Sequence, residues 1–331
     1  MSIRIGINGF GRIGRLVARA GFAHSDLEFV AVNDLTDAKT LGHLLKYDSI
    51  HGILGAEVKT TDNSIAVNGK EIKTYQIRDP EALPWKDLGV DVVLESTGKF
   101  THRVGAEKHI AAGAKKVVIS APAKNPDITF VLGVNQEVYD KTKHNIISMG
   151  SCTTNGLAPV VKVLHNEFGI EYGLMTTIHA YTNDQAIQDE PHKDLRRARA
   201  GALSMLPTTT GAAKAISEII PELAGKLDGL AVRVPIPNVS IVDFTATLSR
   251  RTTREEVNEK FQEYANGPMK GYLFCTNEPL VSKDYTGNSA LSTVDLPNTM
   301  VVGNMVKVLA WYDNEWGFSS RMVELLSFIM K

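Results

Sequence analysis

IRIGINGFGRIGR, residues 3–15, is the stretch that decides the fold. Ile3 to Ile7 is a short β-rich run that ends at Asn8 and Gly9, and a helical pattern follows from Arg12 to Phe22. A second apolar run, Phe29 to Val32, is closed by Asn33 and Asp34. Strand, glycine-rich turn, helix, strand is the βαβ signature. Gly9, Gly11 and Gly14 match G-x-G-x-x-G, and Asp34 lies about 20 residues beyond the last of them. A lone glycine motif is a weak signal; placed between a strand and a helix, it becomes a dinucleotide fingerprint. Glycine lets the backbone approach a pyrophosphate, and the helix N-terminus offers free N–H groups and a positive dipole end. Asp34 can accept hydrogen bonds from both hydroxyls of an adenosine ribose. The competing reading is a glycine-rich turn followed by a solvated aspartate.

Outward from this unit, further strands are legible at Val90–Glu95 and Val117–Ser120, with a helix from Arg103 to Ala112 between them. Asn68-Gly69 marks a turn between two shorter strand-like runs. Up to about residue 150 strands and helices alternate, as a parallel sheet requires. Beyond it come a helix (Thr154 to Phe168), a strand (Gly173 to His179) and a long polar segment, Ala180 to Leu206, which contains DQAIQDEPHKDLRRARA. That segment is too long for a mere connector and reads as functional. A helix over 212–220, strand-rich stretches at 229–249, 290–294 and 305–312, a helix over 253–265 and a C-terminal amphipathic helix complete the chain.

The chain has 331 residues, and two domains are the expectation. Apolar residues make up 43% and charged residues 22%, which is ordinary globular composition. With 36 basic and 37 acidic residues the net charge is −1, which argues against a nucleic-acid or anionic-membrane partner. Cys152 and Cys275 are the only cysteines, so a disulfide framework is excluded and a reducing compartment fits. The N-terminus, MSIRIGINGF, does not read as a signal peptide. No run approaches the roughly 18 apolar residues that span a bilayer. The expected location is cytoplasmic, and no metal site is expected.

Gly150-Ser151-Cys152-Thr153-Thr154-Asn155 follows an apolar strand, Asn145 to Ser148, and opens a helix. Cys152 therefore sits at a helix N-terminus, where the dipole favours thiolate. A strand later, Thr176-Thr177-Ile178-His179 ends on a histidine, and a Cys–His pair is a common nucleophile design. The residues alone leave open an inert buried thiol and a structural histidine. Thr208-Thr209-Thr210-Gly211 precedes a helical run at Ala212 and makes an anion cradle. Arg196, Arg197 and Arg199 offer planar forks for phosphate oxygens, and nothing in their spacing singles out Arg197.

These landmarks become specific when taken together. INGFGRIGR (7–15), HLLKYDS.HG (43–52), ESTG.F (95–100), SAPAK (120–124), SCTTN (151–155), PHKDLRRARA (191–200), PTTTGAAKA (207–215), VRVP (232–235) and WYDNEWGFS (311–319) follow one another in order. Along essentially its whole length the chain resembles the phosphorylating NAD-dependent glyceraldehyde-3-phosphate dehydrogenases. The resemblance implies an α/β protein with a Rossmann dinucleotide-binding domain over 1–150, completed by a C-terminal helix over 314–331. It implies an α+β catalytic domain over 151–313 with a mostly antiparallel sheet. Cys152 would be the nucleophile and His179 its activator. Gly9, Gly11, Arg12, Ile13 and Gly14 would lie along the pyrophosphate of NAD, with Asp34 on the adenosine ribose. Arg78, Thr97 and Ser120 would line the cofactor cleft, and Asn314 would hydrogen-bond the nicotinamide amide. Ser151, Thr153, Thr182, Arg197, Thr210, Gly211 and Arg233 would form two anion sites, one for the substrate phosphate and one for inorganic phosphate. A homotetramer is implied as well.

The chain departs from the common family pattern in three places. Gly156 stands where many relatives carry a second cysteine, Phe318 where tyrosine is common, and Met149-Gly150 where Asn-Ala is commoner. Two competing readings are erythrose-4-phosphate dehydrogenase and a non-catalytic scaffold with a retained fold. SAPAK and HAYTNDQ favour the glyceraldehyde form over the first.

Overall fold

A computed structural model describes residues 2–331. The chain divides into two compact units. The first comprises the chain up to Phe130, Glu137–Gly150 and Ser319–Lys331; the second comprises Val131–Gln136 and Ser151–Phe318.

The first unit begins β1 (Ile3–Asn8), α1 (Arg12–Gly21), β2 (Leu27–Asn33), α2 (Ala38–Lys46). Two short strands, β3 (Tyr47–Asp48) and β4 (Gly52–Ile53), form a hairpin. Then come β5 (Val58–Thr60), β6 (Ser64–Val67), β7 (Lys70–Tyr75), β8 (Val92–Glu95), α3 (Arg103–Ala111), β9 (Lys116–Ile119), β10 (Ile128–Thr129) and β11 (Ile146–Ser148). Nine strands make one sheet in the order β10-β11-β9-β8-β1-β2-β7-β6-β5. From β10 to β7 every pairing is parallel; β6 and β5 extend it antiparallel around the Asn68-Gly69 turn. Asn68 and Gly69 both have positive φ, as that tight two-residue turn requires. The central strands are apolar and buried on both faces, as a parallel sheet requires: Ile5, Ile7, Val92, Val93, Leu94, Val117 and Val118 are fully buried.

The second unit opens with α4 (Cys152–Phe168), followed by β12 (Ile170–Ala180), β13 (Leu206–Thr209), α5 (Ala212–Ile219), β14 (Leu227–Val234) and β15 (Ser240–Leu248). It continues through α6 (Arg254–Asn266), β16 (Leu273–Thr276), β17 (Ser292–Asp295), β18 (Met300–Val302) and β19 (Met305–Tyr312). The sheet order is β13-β14-β12-β15-β19-β17-β16, with β18 also on β19. Only β12–β14 and β16–β17 pair in parallel, so the sheet is mostly antiparallel. α4 runs through the core of this unit, where Leu157, Val160, Val161 and Leu164 pack with Ile216, Phe244 and Val308. The final helix, α7, spans Trp316–Phe328.

Several elements differ from their sequence expectation. The helix expected from Thr154 begins at Cys152, because Ser151 caps it. The strand-rich stretch 229–249 is two strands separated by a turn over 235–239. Helix α2 and strands β16 and β18 were not anticipated. Residues 180–206 hold no helix and are strand only at their two ends, Ala180 closing β12 and Leu206 opening β13.

Candidate active site

In the first unit the βαβ turn shapes a cleft of about 300 Å³ lined by Gly9, Gly11, Asp34, Arg78, Thr97 and their neighbours. Gly9 has φ +91°, and a Cβ there would meet the backbone of Ser96 and Thr97 at 2.5–2.8 Å. A Cβ on Gly14 would lie 2.3 Å from the carbonyl of Gly9. Gly11 is different: a Cβ there meets nothing, so its backbone faces open space. Gly11 is also the N-cap of α1 and supplies no side-chain cap, which leaves the helix N–H groups for a ligand. Asp34 Oδ2 accepts the N–H of Phe10 at 2.8 Å. This combination suits a pyrophosphate and a ribose diol.

Not all the expected residues line that cleft. Ile13 and Gly14 lie on α1 behind the turn, and Arg12 pairs with Asp48 at 3.1 Å. Ser120 follows β9 and donates its backbone N–H to Glu95 at 3.0 Å. Sequence reasoning missed the network beneath the cleft. Glu95, almost wholly buried, accepts from the N–H and hydroxyl of Thr97, from Asn8 Nδ2 at 2.6 Å and from His109 Nε2 at 3.1 Å. Trp85 donates to His109 Nδ1 at 3.0 Å, which fixes the tautomer with its proton on Nε2. Asn33 donates to Asn8 Oδ1 at 2.7 Å and holds the backbone of Ile77. The signal available was the acidic residue at the end of a central strand, in ESTG.

In the second unit Ser151 caps α4. Its hydroxyl accepts the N–H of Thr154, whose own hydroxyl accepts the N–H of Ser151. Gly150, at φ +67°, makes the turn into this cap in a region that favours glycine, which gives the Met149-Gly150 departure a physical reason for its second residue. Cys152 is thus the first residue of α4, and its Sγ lies 3.4 Å from His179 Nε2. His179 is the penultimate residue of β12, in register with Arg233 on the parallel neighbour β14. Its Nδ1 lies 2.7 Å from the Ala180 carbonyl, and Arg233 Nη1 lies 2.9 Å from Nδ1 and 3.1 Å from the same carbonyl. If Nδ1 carries the proton, both it and Arg233 donate to Ala180, and Nε2 is left with a lone pair toward the thiol.

The electrostatics differ from the sequence expectation of a favoured thiolate. Burial pushes the Cys152 thiol up, opposed by the Arg233 charge and by hydrogen bonds from Thr153. Burial and then Arg233 bring His179 down to about 3, against the Ala180 hydrogen bond. The pair therefore rests as a thiol beside a neutral imidazole, poised to pass one proton from Sγ to Nε2. Cys275 is pushed up to about 12 by burial alone.

The expected anion residues fall into separate local arrangements. Arg233 is held by Ala180, and its Nε is buried without a partner among the described residues. Arg197 donates to the Thr208 hydroxyl at 3.0 Å and the Thr209 carbonyl at 3.2 Å, and pairs with Asp184. Thr210 Oγ1 accepts the N–H of Ala212 at the start of α5, and Gly211 there leaves open space. The backbone of Thr182 donates to Gln185 at 2.8 Å. Two hydroxyls are engaged elsewhere: that of Ser151 in the cap, and that of Thr153 with Tyr312 at 2.8 Å. Tyr312 was missed by sequence reasoning. Its hydroxyl also meets Thr177 at 2.9 Å, and its ring stands edge-on to His179 with centroids 6.1 Å apart. Gly156 follows from it, since a Cβ there would lie 2.9 Å from the Tyr312 ring. Asn314 is buried, with Oδ1 accepting from Ser240 at 2.8 Å. Phe318 is buried too, and nothing in the structure explains its choice over tyrosine.

Comparison with known proteins gives a concordant result. Residues 3–103 match the family model described as glyceraldehyde 3-phosphate dehydrogenase, NAD binding domain, and residues 151–314 match the corresponding C-terminal domain. The chain is similar to glyceraldehyde-3-phosphate dehydrogenase of Geobacillus stearothermophilus, 61% identical over 99% of this chain and 98% of the relative. It is 58% identical to glyceraldehyde-3-phosphate dehydrogenase 1 of Bacillus subtilis (strain 168), over 100% and 99% of the two chains. With two family domains and such identity over nearly its whole length, the chain belongs to the glyceraldehyde-3-phosphate dehydrogenase family.

Proposed function

We propose that this protein converts D-glyceraldehyde 3-phosphate, NAD and inorganic phosphate to 1,3-bisphosphoglycerate and NADH, a step of glycolysis and, reversed, of gluconeogenesis. The observation that carries the chemistry is the 3.4 Å approach of Cys152 Sγ to His179 Nε2 at the start of α4. The family assignment and the glycine cleft carry the cofactor. Residues 1–150 with 314–331 form the NAD-binding domain in this reading, and 151–313 the catalytic domain.

Cys152 passes its proton to His179 Nε2, and Sγ adds to the aldehyde carbon. A C–S bond forms while the carbonyl oxygen gains the electron pair. His179 returns the proton to that oxygen, giving a hemithioacetal. NAD, when bound, supplies the acceptor for the hydride that leaves the carbon. His179 takes the hydroxyl proton as that C–H bond breaks, and a thioester on Cys152 remains. An oxygen of inorganic phosphate then attacks the thioester carbon and gives up its proton to solvent, the C–S bond breaks, and the departing thiolate takes back the proton held by His179, which restores the thiol and the neutral imidazole. Stabilising the oxyanion with one such donor is typically worth about 3–4 kcal/mol.

Arg233, whose buried Nε has no partner among the described residues, and Arg197, Thr182, Thr210 and Gly211 supply the two anion sites in this reading. Ser151 and Thr153 complete these sites at the start of α4 in this reading; the Thr153 hydroxyl is held by Tyr312, and both the hydroxyl and the N–H of Ser151 are used in the cap. Gly9, Gly11, Arg12, Ile13, Gly14, Asp34, Arg78, Thr97 and Ser120 serve the nucleotide, and Asn314 the nicotinamide. A homotetramer is supported by apolar side chains left exposed: Ile187, Leu195, Leu203 and Met205 around the polar segment, with Tyr172 and Leu174 on β12. A reducing, cytoplasmic setting is supported by two free cysteines. Among the described residues no helix is long and apolar enough to cross a membrane.

The test is spectrophotometric. NADH should form from glyceraldehyde 3-phosphate in proportion to added phosphate, and Cys152→Ser should abolish turnover while Cys275→Ser leaves it intact. A preference for erythrose 4-phosphate, or no turnover of either aldehyde, overturns the reading.

A further inference from the structure

Between β14 and β15 the chain turns through Asn238-Val239-Ser240, and Val239 has φ +69°. A β-branched residue in the left-handed region is a strained choice, and such strain persists only where surrounding contacts demand it. The contacts on either side of Val239 show what is demanded. Asn238 Nδ2 donates to Asp313 Oδ2 at 3.0 Å, and the Ser240 hydroxyl donates to Asn314 Oδ1 at 2.8 Å. Two residues flanking the strained one thus reach two consecutive residues at the end of β19. Asp313 is locked in turn by the N–H groups of Gly287, Glu315 and Trp316.

Ser240 is nearly inaccessible, and its hydroxyl is fully directed. Its oxygen accepts the N–H of Ala180, the residue after His179, at 3.1 Å. Its single proton faces two oxygens, Asn314 Oδ1 at 2.8 Å and the Tyr312 hydroxyl; the latter already has Thr153 and Thr177 as partners, so the proton goes to Asn314 Oδ1. An amide has a donor end and an acceptor end of nearly equal shape, so only its hydrogen-bond partners decide which end faces a ligand. With Oδ1 committed to Ser240, the free end of Asn314 is the Nδ2 donor.

We infer that Ser240, held by the strained Asn238-Val239-Ser240 turn, is a positioning residue that fixes the amide of Asn314 donor-outward and thereby selects the orientation of the nicotinamide carboxamide. This rests on the reading of Asn314 as the nicotinamide contact. Loss of the hydroxyl frees the amide to flip and sets the energetic equivalence of its two ends against the ligand.

Calorimetry on the full chain with NAD and with ADP-ribose, which lacks the nicotinamide, tests this. Ser240→Ala should weaken NAD by about tenfold and leave ADP-ribose within about twofold, since only one hydrogen-bonded ring contact is disturbed. Unchanged ADP-ribose binding also shows that the variant is folded. Asn314→Ala should produce a similar selective loss, and the double variant should be no worse than the worse single one, because Ser240 acts through Asn314. Additive losses, or equal weakening of both ligands by Ser240→Ala, overturn the inference. If Asn314→Ala alone leaves NAD binding unchanged, the assignment of Asn314 to the nicotinamide fails, and the inference with it. If Asn314→Ala weakens NAD and Ser240→Ala does not, the inference alone fails.

Discussion

Asp34 Oδ2 accepts the backbone N–H of Phe10 at 2.8 Å, so the carboxylate that ends β2 also braces the glycine turn after β1. That bond uses one oxygen and leaves Oδ1 for a ribose hydroxyl. A 2′-phosphate at the same place would bring two negative groups together in a partly desolvated cleft, which is repulsive. Leu35 follows, so no basic neighbour in sequence reverses the sign. The protein should prefer NAD over NADP by at least about 100-fold in kcat/KM, near 2.7 kcal/mol. Asp34→Ala should narrow the gap by weakening NAD and relieving the repulsion. Equal use of the two cofactors by the unaltered protein would falsify this assignment.

Asp48 gives the expected pH dependence. It is buried, which raises its pKa, but the N–H groups of His51 and Ile50 and the Arg12 guanidinium outweigh that and bring it down to about 2. A carboxyl with a depressed folded pKa contributes stability that is complete above its unfolded pKa and is lost as pH falls through the folded one. For Asp48 the window runs from 3.8 down to about 2. Asp48→Asn should therefore lower stability near neutral pH and flatten the acid limb in that window. Denaturant melts at a series of pH values check it; parallel curves for the two proteins would refute the linkage.

The parts of this molecule legible from sequence are those set by local pattern. The βαβ unit shows itself because apolar run, glycine turn and amphipathic helix are neighbours in the chain. The position of Cys152 at a helix start shows itself because the strand before it and the helix after it are adjacent. The start itself was placed two residues late, since the reciprocal cap between Ser151 and Thr154 makes helix out of residues whose types favour caps and turns. What stayed hidden depends on register between distant segments. His179 and Arg233 are partners only because β12 and β14 run parallel in one particular alignment. Glu95, Tyr312 and Ser240 act through contacts with residues far away in sequence, and their types alone read as ordinary core or strand-end residues.

Gly156 offers a test of packing. A methyl group there would stand 2.9 Å from Cδ1 of Tyr312, whose ring cannot retreat freely because its hydroxyl is held by Thr153 and Thr177. Alanine gains up to about 1 kcal/mol in helix propensity. Overpacking a filled core costs about 1–3 kcal/mol. Gly156→Ala should come out destabilised, with a lower thermal midpoint. A midpoint at or above that of the unaltered protein would show that the ring yields more easily than its bonds suggest.

His179 carries the last expectation. Its Nε2 faces Cys152 Sγ at 3.4 Å, and burial together with Arg233 keeps the ring neutral, so it can accept the thiol proton. The start of α4 contributes separately through its dipole. Replacing the ring by asparagine keeps a polar side chain of modest size but removes the base. His179→Asn should cut turnover by roughly 10²–10⁴, the usual effect of losing a general acid–base group. The same variant separates the two sources of thiol reactivity. If the imidazole is the proton acceptor, alkylation of Cys152 near pH 7 should slow in parallel with turnover, and its pH profile should move up, because the thiol must then ionise to solvent against its burial. If alkylation is unchanged while turnover falls, the helix terminus alone governs the nucleophile, and His179 acts only later, on the oxygen of the bound aldehyde.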